Sequence, residues 1–144
     1  MKLKTIWLAS LLLFYFVGLA TGMFLARKVI TNTATIKTVG VGISPNPDFT
    51  VSLTQIDWGV LEPGMSKNYT AYMKNTGNVP LMLNMTIEGW NPAEATQYIT
   101  LVWDAEGKTL NVSEVIQVTF TLTVSANISG ITSFSFQIVI VGSG

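Results

Sequence analysis

The side chains able to carry chemistry in this sequence are carboxylates, hydroxyls and amides. Asp48, Asp57, Glu62, Glu88, Glu94, Asp104, Glu106 and Glu114 are scattered, mostly at turns, and no spacing among them points to a pair sharing acid–base work. Histidine and cysteine are both absent, which removes imidazole bases, thiolate nucleophiles, disulfides and the usual zinc sites. Serine and threonine are plentiful, yet without histidine they lack the commonest activating base. The carboxylates therefore read as surface and turn residues. No catalytic residue, metal ligand or cofactor is expected, and the chain does not read as an enzyme.

Two other residue sets bear on function. Asn68, Asn84, Asn111 and Asn127 each open an Asn-X-Ser/Thr sequon, at outward strand positions or turns where a glycan would clear the core. Trp58, Trp90 and Trp103 are able to form a sugar-stacking platform, but tryptophans beside strand ends more often plug the ends of a sandwich core.

The elements that position these residues are strands. From Thr31 onward no helical period appears, and alternation dominates. Ile116, Val118, Phe120, Leu122 and Val124 face one way, while Gln117, Thr119, Thr121 and Thr123 face the other. Phe134, Phe136, Ile138 and Ile140 repeat the pattern, as do Tyr69, Ala71 and Met73, and Leu81, Leu83, Met85 and Ile87. A period of two marks half-buried antiparallel sheet. Turn signals such as Ser44-Pro45-Asn46-Pro47-Asp48, Glu62-Pro63-Gly64 and Asn127-Ile128-Ser129-Gly130 separate these runs. The expected fold is all-β: a two-sheet antiparallel sandwich, jelly-roll-like or immunoglobulin-like in outline, over residues 44–144. A slip of phase between Leu53 and Ile56 predicts a bulge or a strand that switches sheets.

An apolar segment precedes this domain. Lys2 and Lys4 come before Thr5 to Ala26, with Arg27 and Lys28 after it. As a helix its 22 residues would span about 33 Å, enough to cross a bilayer. Small residues at Gly18 and Ala20 also suit a signal peptidase. Residues 1–28 are thus expected to form a hydrophobic helix serving as either signal peptide or membrane anchor, and the rest of the chain to be extracellular or at the cell surface. Without that segment, 8 basic residues fall to 4 against 8 acidic ones, a net charge of −4 that disfavours nucleic acid as a partner.

Residues 29–43 join the two parts, and "TVGVGI", Thr38 to Ile43, is their most telling stretch. Read as a strand, it sets Val39, Val41 and Ile43 on one face and only Gly40 and Gly42 on the other. It is either the first strand of its own sandwich, with the glycines under a loop, or a donor strand inserted into the next molecule. On the second reading Ile36, Val39, Val41 and Ile43 are the plugs, and the polar run from Val29 to Lys37 is the linker. Burying the three residues of the valine–isoleucine face contributes roughly 5–9 kcal/mol, against an association cost on the order of 4–15 kcal/mol. A ladder of main-chain hydrogen bonds, each worth about 1 kcal/mol, is therefore needed to favour insertion.

The stretch "WGVLEPGMSKNYTAYMKNTGNVPLMLNM", Trp58 to Met85, resembles a segment of the TasA/camelysin family of biofilm fibre proteins. It is more similar still to the archaeal bundling-pilus subunits related to them. Leu61, Pro63, Gly64, Asn75 and Gly77 stand at the matching positions, two turns flanking an alternating strand, with glycine expected where φ is positive. "TATIKTVGVGI" and "NISGITSFSFQIVIVG" extend the resemblance over most of residues 33–142. It implies a jelly-roll subunit, exported by a signal peptide and polymerised with copies of itself by donor-strand complementation into bundled pili of a biofilm. Camelysin relatives are described as metalloproteases, an activity not carried over to a chain without histidine. The alternative expectation is a single membrane-anchored β-sandwich module that binds a protein or glycan partner.

Overall fold

A computed structural model describes residues 28–144; the expected signal peptide or anchor helix lies outside the described residues. Nine strands follow in order: β1 (Thr31–Val39), β2 (Val41–Ser44), β3 (Gln55–Ile56), β4 (Ser66–Asn75), β5 (Leu81–Asn91), β6 (Ile99–Trp103), β7 (Thr109–Leu110), β8 (Val115–Val124) and β9 (Ser133–Ser143). One short 3-10 turn, Ala93–Gln97, precedes β6.

The strands form two sheets, ordered β3-β1-β9-β5-β7 and β2-β4-β8-β6. All pairings are antiparallel except one: β1 runs parallel to β9 from Thr31↔Ser133 to Val39↔Val141. The alternating residues of β8 and β9 point between the sheets. Val118, Phe120, Leu122, Ile138 and Ile140 are all at 0% exposure, and they meet Met73 of β4 and Leu83 of β5 in one core. Each such side chain contributes roughly 1.5–3 kcal/mol relative to its exposed state. The fold is thus all-β, two mostly antiparallel sheets around a shared apolar layer, with the partners of the alternating residues left outside.

Two of the irregularities have local causes. Leu53 donates its N–H to the carbonyl of Ile43 in one sheet, whereas Ile56 belongs to β3 in the other, so the phase slip is a change of sheet. On β5 the register with β9 shifts between Glu88 and Asn91, where Gly89 has φ +64°, a bulge that only glycine adopts without strain.

Candidate functional site: the first strand and its turns

The stretch Thr38 to Ile43 is two strands, unlike the single strand its alternation suggests. Gly40 has φ +78° and turns the chain out of one sheet, where β1 ends at Val39, into the other, where β2 begins at Val41. This turn inverts the pattern at its start. Val39 is 50% exposed on the outer face, whereas Val41 and Ile43 are each 6% exposed and face the core. Ile36 is half-buried and packs on the core edge. Gly42 does lie beneath a loop: a Cβ there would sit 3.7 Å from the Phe49 ring.

The polar run expected as a linker is instead β1 itself. Its inward positions are Asn32, Ala34, Ile36 and Thr38, of which only Ala34 is fully buried, and Ile30 just before the strand is also at 0% exposure. Ile30 bridges Leu61, its N–H donating to the Leu61 carbonyl at 3.2 Å. Reading from sequence missed Ile30 and Ala34 as inward residues because Asn32 and Thr38 share their face. The apolar period of two is hidden there by polar side chains that β1 tolerates near the rim.

The turn residues have distinct tasks. Leu61 is a core residue at 0% exposure, while Pro63 and Gly64 lie at the surface. Gly64 has φ +79° and donates its N–H to Val124 at 3.0 Å, tying the turn to the end of β8. Gly77 does not adopt positive φ as expected of its turn. It is held by Asn75, whose Oδ1 accepts the Gly77 N–H at 2.8 Å and would lie 3.3 Å from an added Cβ. Asn75 is 1% exposed, and its Nδ2 also donates to the carbonyls of Val79 (2.7 Å) and Leu110 (3.0 Å). One buried amide thus joins β4, the following turn and β7, satisfying main-chain groups that would otherwise be costly to bury.

Asn68, Asn111 and Asn127 are exposed, and Asn84 is half-buried on the outer face of β5. The Asn68 Oδ1 accepts from the Thr121 hydroxyl, and the Asn111 Nδ2 donates to Glu114. Most of the carboxylates with defined contacts organise turns and strand ends. Asp48 accepts from Thr50, Asp57 from the Gly59 N–H and Asp104 from the Thr119 N–H. Glu106 takes both the Trp103 Nε1–H, at 2.6 Å, and the Met85 N–H. The tryptophans pack on core aromatics: Trp103 stacks on Phe120 at 5.9 Å, Trp90 on Phe136 at 4.6 Å, and Trp58 meets the edge of Tyr69. Among the described residues no three metal-ligating side chains gather in one place.

Among the described residues, the arrangement with the most functional reach is a first strand set between β3 and the last strand, β9, and joined to β2 through a single left-handed glycine. Comparison of the chain with protein-family models and with curated proteins finds no match.

Proposed function

We propose that this chain is an extracellular structural subunit that polymerises by donor-strand complementation, with β1 as the donated strand and a jelly-roll-like sandwich as the acceptor. The observation that carries this reading is the β1–β9 ladder: nine parallel register pairs with little side-chain anchorage beneath them. What holds β1 is chiefly main chain, and the β1 of a neighbouring copy offers an identical ladder and the same Ile30, Ala34 and Ile36 contacts. Exchange is thus nearly neutral in contacts, and concentration sets its direction. Gly40 supplies the hinge, since glycine takes both the turned and the extended conformation at low cost. β2 stays behind, pinned by Val41 and Ile43 and by its pairing with β4. The donated segment then becomes Ile30 to Val39. A head-to-tail contact of this kind does not close, so the product is a fibre. The resemblance over residues 33–142 supports the same reading, with bundling of cells in a biofilm as the role.

The decisive experiment pairs negative-stain microscopy of shed material with a strand-deleted chain. A variant lacking residues 29–39 is expected to form no fibres and to bind a synthetic peptide of the sequence Val29 to Val39. Absence of fibres from the intact chain at any concentration sinks the proposal. It would leave the second reading, a lone membrane-anchored sandwich that binds a protein or glycan at the cell surface. That reading is favoured by the fit of β1 within its own sheet.

A further inference from the structure

Among the described residues, each sheet edge is blunted except one. β3 and β7 are two residues long. The edge of β2 is occupied where Leu53 donates to Ile43. β5 beyond β7 is capped by the Glu106 carboxylate on the Met85 N–H and then broken by its bulge. β6 has none of these devices. It is the outermost strand of its sheet, five residues long, and its sequence Ile-Thr-Leu-Val-Trp contains no charge, proline or glycine. Such an edge is a template for another strand.

The main-chain phase of β6 is set by its ends. Ser125 donates its N–H to Tyr98 at 2.8 Å, and Asp104 donates to Thr119 at 3.3 Å, both in the register that pairs Ile99 with Val124. Thr100 and Val102 therefore bond toward β8, and the N–H and C=O groups of Ile99, Leu101 and Trp103 point out from the sheet. The side chains of Ile99 and Leu101 are buried at 3% and 5% exposure, so the edge is fixed in place and offers main chain alone. Thr100 and Val102 stand on the outer face, Val102 being 54% exposed.

We infer that β6 pairs with β6 of a second copy of this chain, antiparallel about a two-fold axis at Leu101, making one continuous eight-stranded sheet from two four-stranded ones. The strand is its own complement. Centred on Leu101, it makes about six main-chain hydrogen bonds. Thr100 then lies opposite Val102 of the second copy on both sides of the axis, a β-branched pair at each non-hydrogen-bonded site. An uncharged strand brings no like-charge repulsion when it meets itself. Five residues make a small contact, below the size of a stable dimer, so the pairing is transient between single molecules and firm only where many copies stand in rows. It stands whether or not β1 is exchanged.

The test uses the intact chain, which has no cysteine of its own. Thr100→Cys and Val102→Cys are made separately and mixed under mild oxidation. Cβ atoms about 4.5–5.5 Å apart at such a site close into a disulfide with little movement. The mixture is expected to yield roughly tenfold more cross-linked dimer than either variant alone, where like positions lie on the diagonal. A Thr70→Cys control, on an inner strand, should give none. Sedimentation of the unaltered chain is expected to show weak self-association, and the double variant Thr100→Lys/Val102→Lys to lose it, with an unchanged far-ultraviolet spectrum. Equal cross-linking in the mixture and the Thr70→Cys control, or undiminished association of the double lysine variant, overturns the proposal.

Discussion

Gly40 stands against the carbonyl oxygen of Gly142, so close that a Cβ on Gly40 would lie 3.2 Å from it. At this crossing the N-terminal strand leaves one sheet for the other beside the end of β9. Backbone meets backbone with no side chain between them, and neither partner has a flexible end to move aside.

Gly40→Ala should therefore lower stability on two counts, the left-handed conformation and the close oxygen. The expected loss is about 1–2 kcal/mol from the conformation alone. Urea unfolding of the purified domain measures it, and a change below a few tenths of a kcal/mol would mean that the chain passes this point by another route.

Val39 and Val41 are expected to behave as opposites despite being two residues apart. Val41→Asp buries a charge with no counter-ion among the described residues of the core and should leave the domain unfolded by circular dichroism. Val39→Asp falls on the outer face and should change stability by no more than about 0.5 kcal/mol. Equal damage from the two would contradict the change of face at Gly40.

Asn75→Ala removes one amide and leaves the Val79 and Leu110 carbonyls and the Gly77 N–H without their partner. The expected cost is about 3 kcal/mol, a large share of the stability of a domain this size. Asn75→Asp retains the acceptor for Gly77 but not the donors, so it should be no better. Thermal melting of the three proteins side by side checks the order.

Phe120→Ala, in the middle of β8, should cost about 3–5 kcal/mol, because both Trp103 and the facing sheet lose their contact surface. A milder effect, near that of an exposed position such as Thr123, would place the core elsewhere.

Much of the architecture is legible in the sequence because β8 and β9 alternate without interruption, and a period of two has one physical solution when one side is apolar. β4 and β5 were readable for the same reason. The first strand was not. Its inward face carries Asn32 and Thr38 beside Ala34 and Ile36, so pattern alone made it a linker, and only pairing with β9, far along the chain, makes it a strand. Gly40 was hidden differently: alternation continues smoothly through it in sequence, while its positive φ swaps the faces in space. Asn75, expected at a turn, is the last residue of β4, and its burial is invisible in the sequence, since it depends on Leu110 arriving from a distant element. Uninterrupted alternation can be read from sequence, whereas pairing between distant strands and the backbone turns at Gly40 and Gly77 cannot.

The parallel run of β1 beside β9 has a mechanical meaning. The described chain enters the pair at Thr31, next to Ser133, and leaves β9 at the opposite end, beyond Val141. Tension between those two points slides one strand along the other, so every bond of the ladder resists at once instead of tearing open singly. A cable spliced in this manner yields only at forces that break the whole overlap together.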